Sequence, residues 1–141
     1  MTDKRMKLIG SGRKRNVFDL GNGNVLKVAK SRSGLQSNKT EFLLYHSQRA
    51  IPLRKHLAKV IEYGFEYKWL VMKKYARPFH DSGKYRKKYL KLKRQFRQNG
   101  IIPRDMYSMT HKGPSLTNLR LNRRGEIIVI DYGNFKIKSR H

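Results

Sequence analysis

Three short stretches of this sequence hold residues suited to handling phosphate: Gly10-Ser11-Gly12, Val25-Leu26-Lys27-Val28 and Asp131-Tyr132-Gly133. Glycines in a turn between strands let backbone N–H groups approach a phosphate closely, because no Cβ intervenes. A plain hairpin turn accounts for the same glycines without any ligand. An ammonium group set among Val and Leu is costly unless it meets an anion. The alternative for Lys27 is an edge-strand position facing solvent, and Lys30 is a second, less favoured candidate for the buried role. Glu41 is a natural counter-ion for Lys27; with Asn38 three residues earlier, it is equally a capping-box glutamate. Asp131 follows the apolar run Ile127-Ile128-Val129-Ile130, so its carboxylate is placed to hold a Mg²⁺ that bridges phosphates, and the amide oxygen of Asn118 can complete the metal's oxygen shell. A turn aspartate and a turn asparagine are the plainer readings of that pair.

The elements that must position these residues are legible from pattern. Lys7 to Ile9 is a short strand, followed by a polar stretch from Gly10 to Asn16. Val17 to Leu20 and Val25 to Ala29 are strands joined by Gly21-Asn22-Gly23-Asn24, whose residues tolerate positive φ and so make a hairpin turn. Asn38 followed by Glu41 predicts a helix start, leading into Phe42-Leu43-Leu44-Tyr45, with Pro52 as its limit. Val60 to Tyr63 and Trp69 to Met72 form a second strand pair around Gly64. From Lys84 to Gln98 the apolar residues Tyr85, Tyr89, Leu92 and Phe96 repeat with helical spacing, which predicts an amphipathic helix with one buried stripe, ended by Gly100 and Pro103. A terminal hairpin joins Leu119 to Leu121 with Ile127 to Ile130 through a turn at Asn122 to Gly125. The order is three strands, a helix, two strands, a helix and a hairpin: an α+β arrangement without internal repeats or linkers.

Composition limits the functions open to such a domain. Thirty-four Lys and Arg stand against nine Asp and Glu, a net charge of +25. So strong a self-repulsion calls for an acidic partner, whether nucleic acid, an anionic membrane surface or an acidic protein (nucleic acid or acidic protein being preferred), with a merely basic surface as the alternative. Between Lys84 and Arg124 there are thirteen Lys or Arg and one acid, Asp105. Eight of these (Lys84, Arg86, Lys87, Lys88, Lys91, Lys93, Arg94 and Arg97) fall on the predicted helix opposite its apolar stripe, the footprint of phosphate-backbone contact. The sequence has no cysteine, which excludes disulfides, thiolate metal sites and a Cys nucleophile. None of the five histidines shows metal-ligand spacing. No apolar run reaches the length of a membrane span, and Met1 to Gly10 lacks a signal-peptide core, so the expected compartment is the cytoplasm.

Taken in order, these segments resemble the protein-kinase-like superfamily, above all its small bacterial and phage-borne members, across nearly the whole chain. The resemblance implies one domain over residues 1–141, with residues 1–76 corresponding to an N-lobe (an antiparallel sheet plus one helix) and 77–141 to a strongly truncated C-lobe. It implies a nucleotide site, for ATP with Mg²⁺, made of Gly10, Ser11, Gly12 and Val17 in the glycine-rich loop, Lys27 with Glu41, Met72 near the gatekeeper position, and Lys73, Lys74 and Tyr75 in the hinge. Asn118 and Asp131 would hold the metal. Arg15 stands where a third loop glycine is expected.

The departures from the family bear on catalysis. The family's catalytic aspartate lies five residues before the metal-binding asparagine, and five before Asn118 stands Gly113. Two residues further on, where the family has Lys or His beside the transferring phosphate, is Ser115. Asp105 is the one other carboxylate nearby, thirteen residues before Asn118. Eight residues follow Gly133, too few for an activation segment. The expectation is therefore a nucleotide-binding regulatory protein with impaired catalysis. An active atypical protein kinase, or a kinase-shaped nucleic-acid-binding module without nucleotide, are the alternatives.

Overall fold

A computed structural model of the chain describes residues 6–138. Met1 to Arg5, half of the segment read for a leader, and residues 139–141 lie outside it. Strands β1 (Lys7–Ser11), β2 (Arg15–Asp19), β3 (Asn24–Ala29), β4 (Val60–Tyr63) and β5 (Trp69–Lys73) form one antiparallel sheet in the order β1-β2-β3-β5-β4. The β2–β3 turn follows from its glycines: Gly21 and Gly23 both have φ near +80°, at 76° and 87°, which L side chains rarely adopt. The polar stretch expected between Gly10 and Asn16 is mostly strand. Ser11, Arg15 and Asn16 belong to the ladder, and the turn shrinks to Gly12-Arg13-Lys14.

Helix α1 spans Arg32–His46, so Asn38 and Glu41 are not its capping box. The true N-cap is Ser31, whose Oγ accepts from the Gly34 N–H at 3.2 Å. Asn38 and Glu41 lie mid-helix, both fully buried, on a face that also carries Gly34, Ser37 and Leu44. A helix whose inner face is largely polar shows no hydrophobic period, and so its first half escaped pattern reading. Gly34 is required by packing, since a Cβ there would run into the Lys14 carbonyl oxygen. After α1 the chain runs through a 3-10 segment at Gln48–His56, with Pro52 inside it rather than at a boundary.

Helix α2 spans Gly83–Gln98, capped by Ser82, and buries Tyr89, Leu92 and Phe96 as its spacing predicted, with Tyr85 partly buried beside them. Beyond it lie short pairs. Strand β6 (Ile101–Ile102) meets β11 (Lys136–Ile137); β7 (Tyr107–Ser108) meets β8 (Gly113–Pro114); and β9 (Leu119–Leu121) meets β10 (Ile127–Val129). The β9–β10 hairpin docks onto the sheet half through a parallel bridge between Leu57 and Val129, with the Ala58 N–H donating to the Val129 carbonyl at 2.9 Å. One core runs through both halves, from Leu44, Leu70 and Met72 to Phe96, Leu119 and Ile128. Among the described residues, no helix is long and apolar enough to cross a membrane.

Candidate functional site

Lys27 and Val25 point to the same face of β3, two residues apart along the strand. That face meets α1 on one side and the segment after β10 on the other. Lys27 is buried, and its Nζ donates to Glu41 Oε1 and Oε2 at 3.1 and 3.0 Å and to the Ile130 carbonyl at 2.8 Å. The solvent-facing alternative for Lys27 is thereby excluded. Burial is the largest influence on this ammonium and lowers its pKa, an effect Glu41 only partly offsets.

A second buried cation enters the same cluster. Arg15 reaches Glu41 Oε1 at 2.5 Å, Asn38 Oδ1 at 3.0 Å and Asp131 Oδ1 at 3.0 Å. Burial opposes its charge, but Glu41 and then Asp131 more than compensate and raise its pKa. Glu41 Oε2 also accepts from the Tyr132 N–H at 2.9 Å, so the carboxylate is saturated by two side chains and the backbone. Asp131 itself is half exposed, at 50%, and points toward the solvent side of the cluster. Desolvation pushes its pKa up, but Lys27 and Arg15 outweigh that and hold it below the ordinary aspartate value.

Lys27 and Asp131 line a cleft of about 850 Å³, with Glu41 and Arg15 outside its lining. Gly10, Ser11, Gly12 and Val17 line it from the β1–β2 side. Met72, Lys73, Lys74 and Tyr75 line its inner end, and Asn118 and Asp131 its far wall. Lys27 opens onto the cleft while Glu41 stands behind it. Ile9, Val25, Ala58 and Ile130 add apolar surface to the walls. A Cβ at Gly12 would meet nothing within 4 Å, and one at Gly10 only Val17 at ordinary distance. The fold itself thus has no steric need for either glycine. Gly133 is different: a Cβ there would come within 2.8 Å of the Ser37 Cβ, so this glycine lets the Asp131 loop lie against α1.

The donor set suits a hard cation that brings other ligands with it. Asp131 uses Oδ1 for Arg15, and Asn118 uses its NH₂ group on the Asp105 carbonyl at 2.9 Å. Among the described residues, nothing donates to Asp131 Oδ2 or Asn118 Oδ1. One carboxylate and one amide oxygen, with phosphates and water, are what Mg²⁺ accepts. No group of three His, Cys, Asp or Glu among the described residues could hold a metal on protein ligands alone.

Gly113 and Ser115 do not line this cleft. Gly113 is in β8 against the Arg86 guanidinium, and the Ser115 N–H donates to the Met106 carbonyl at 2.8 Å. Counting back five residues from Asn118 lands in the β7–β8 hairpin, at Gly113. The fold brings the backbone carbonyl of Asp105 against Asn118, although Asp105 does not line the cleft either; it is a non-glycine residue at φ 66°. Its Oδ2 accepts from Asn134 Nδ2 at 2.5 Å, and Asn134 Oδ1 accepts from Lys14 Nζ at 2.9 Å. Asn134 and Lys14 border a recess of about 300 Å³ under the Gly10–Gly12 turn that Asp131 also lines.

Three participants were not read from the sequence, Arg15 with its bonds to Glu41 and Asp131 among them. Asn38 links Arg15 to the Tyr67 carbonyl, and fully buried Tyr132 donates its hydroxyl to the Ala58 carbonyl at 2.7 Å. A buried Asn in a polar helix face gives no pattern signal; Tyr132 does, standing where an apolar residue would be expected between Asp131 and Gly133. The basic residues of α2 are dispersed. Arg86 is held by Asp81 at 2.6 Å, and Asp81 also pairs with His111 Nε2 at 2.6 Å. Lys93 is partly buried over the rings of Tyr89 and Tyr107. Lys84, Lys87, Lys88, Lys91, Arg94 and Arg97 are exposed.

No known family pattern and no curated protein sequence matches the chain. Among solved structures it resembles WbdD, crystallised with the kinase inhibitor LY294002, with a TM-score of 0.62 at 16% identity. The match covers 92% of this chain and 32% of WbdD, so the chain spans about a third of that protein. A likeness at this identity concerns the fold alone. The fold is kinase-like: a five-stranded antiparallel sheet with one helix, joined to a short second half.

Proposed function

We propose that this chain binds a nucleoside triphosphate, ATP with Mg²⁺, in the cleft between the sheet and the β9–β10 hairpin. The observation that carries the reading is that Lys27, held from behind by Glu41, and Asp131 come from separate elements to line one cleft with Gly10 and Gly12. A buried ammonium held beside the cleft by a carboxylate is positioned for phosphate oxygens, for which it would exchange its bond to the Ile130 carbonyl. The glycines leave room for close backbone approach, and Asp131 Oδ2 with Asn118 Oδ1 would hold the metal, which would neutralise charge on the phosphates. Met72, Val25 and Ala58 would sandwich the base, beside the backbone of Lys73 to Tyr75.

A second reading, phosphoryl transfer, is favoured by one contact: the Asn118 amide on the Asp105 carbonyl. Asp105 is then the group that accepts the proton of an attacking hydroxyl, in place of the missing aspartate at Gly113. Without that role, the chain acts as a regulatory nucleotide-binding protein with impaired catalysis.

Thermal-shift titration with ATP, with and without Mg²⁺, tests the first reading. Ligand at a hundred times its Kd should stabilise the fold by about 2.7 kcal/mol, and Asp131→Ala should remove the dependence on Mg²⁺. No stabilisation at millimolar ATP overturns it. Autophosphorylation, or transfer to a generic basic protein, that disappears in Asp105→Asn while ATP still binds establishes the second reading; no transfer by the wild-type chain leaves the regulatory one.

A further inference from the structure

Two open depressions flank the chain on the outer side of the hinge, and they meet at one residue. The larger, about 910 Å³, lies between the Lys73–Arg77 segment and the β9–β10 turn. The smaller, about 290 Å³, lies between the 3-10 segment and α2. Glu126 borders both and is ion-paired with Lys55 at 3.4 Å, so the two form one continuous track.

The charge along this track is nearly all of one sign. Lys73, Arg77, Arg123 and Arg124 line the first depression, and none of them pairs with a carboxylate among the described residues. Lys88 and Lys91 of α2, equally unpaired, line the second with His56. The nearby acids are already engaged, Asp19 by Lys74 and Glu126 by Lys55. Like charges gathered on one surface repel one another, and a bound polyanion relieves the repulsion.

Which polyanion follows from what the track lacks. A protein interface needs apolar or aromatic anchors at its centre. Large exposed apolar side chains do occur on this molecule, among them Ile51, Phe65, Leu90 and Met109, yet none lines either depression. A nucleic-acid backbone needs cations and no such anchors. Tyr75, half-buried in the larger depression, offers a ring on which an unpaired base of a flexible single strand can stack.

We infer that the track from Arg123 and Arg124, past Lys73 and Arg77, to Lys88 and Lys91 binds the phosphate backbone of single-stranded nucleic acid. It adjoins the cleft, sharing Lys73, Lys74, Tyr75 and Ala76 with it, while Arg77, Arg123 and Arg124 line the depression alone. Of the eight α2 cations, two belong to the site, and the rest of it comes from the hinge and the β9–β10 turn.

The experiment is fluorescence anisotropy with short single-stranded RNA and DNA across a salt series, using the full chain. Arg77, Arg123 and Arg124, which do not line the cleft, are changed together to Gln in one variant; Lys7, Arg32 and Lys39, off the track, are changed in a second of equal charge. The track variant should lose at least about tenfold in affinity at physiological salt. Its log–log salt slope should flatten by up to about 2, at about 0.7 for each phosphate no longer neutralised. The off-track variant should keep most of both. Equal losses in the two variants overturn the inference, as does the absence of binding by the wild-type chain at about 0.15 M salt. Tighter binding of a duplex, or displacement of the oligonucleotide by poly-glutamate at lower charge concentration, also overturns it, the latter in favour of an acidic protein.

Discussion

The cluster at Lys27 and the face of α2 are built from the same cationic side chains and behave in opposite ways. Arg15 and Lys27 are buried, share Glu41 and are fixed by hydrogen bonds of 2.5 to 3.1 Å. Lys87, Arg94 and Arg97 stand in solvent, and α2 owes its place to Tyr89, Leu92 and Phe96 instead. Buried charge is expensive alone and so is tied to the fold's integrity; exposed charge costs and contributes little locally, and acts through long-range attraction. The number of charges in a segment therefore says little about its role until burial is known.

Removing Glu41 should break this contrast most sharply. Glu41→Ala leaves Lys27 and Arg15 buried without their shared counter-ion and should cost about 3–5 kcal/mol, enough to unfold a marginal domain. Chemical denaturation would show it as a lowered midpoint at unchanged m-value. A stability within about 1 kcal/mol of wild type would mean that water reaches the cluster and the burial described above is wrong.

Lys27→Met should behave differently from Glu41→Ala, because it removes a buried charge together with its desolvation cost. Arg15 still neutralises Glu41, so the stability loss should be about 1–2 kcal/mol, while the ATP-induced thermal shift should vanish. Retention of that shift would remove Lys27 from the nucleotide site. Gly12→Ala, by contrast, should leave the melting temperature unchanged, since its Cβ meets nothing, and should weaken ATP alone.

Acid separates the two regions in a smaller way. The Asp131 pKa is lowered in the folded chain, against desolvation, by Lys27 and then Arg15, and that of Asp81 is lowered to about 2 by hydrogen bonding to Arg86 and then His111. Groups held below their unfolded values contribute stability above the unfolded aspartate pKa, near about 4, and lose it as pH falls through the folded value. Urea midpoints should therefore fall between about pH 4 and pH 2. In Asp81→Asn the part of that fall due to Asp81 should disappear, while the cluster at Lys27 retains its own. An identical acid profile in the variant would show that the Asp81 pairs are screened out.

The mildest effect belongs to α2. Changing Lys87, Arg94 and Arg97 to Gln should alter stability by less than about 0.5 kcal/mol per site. The same change should weaken single-strand binding less than the Arg77, Arg123 and Arg124 substitutions described above. Weakening equal to that of the track variant would restore the helix face as the principal surface.

Much of this molecule was written locally. The Gly21 to Asn24 turn, the α2 stripe and the terminal hairpin depend on φ preferences and apolar spacing that each short segment carries by itself, and they were legible. Lys27 and Asp131 stood out as well, because a lysine in an apolar strand and an acid after one are conspicuous. The tertiary structure decided the rest. It decided that Lys27 faces inward, because strand alternation permits both faces and only packing against α1 and Ile130 chooses. It also decided that α1 begins at Arg32, because a helix that buries Ser37, Asn38 and Glu41 has no hydrophobic period to read. Finally, it brought Asp105 to Asn118 across a hairpin: residue counting assumes a fixed loop length, whereas a β-hairpin returns the chain to its starting point and adds residues without adding distance.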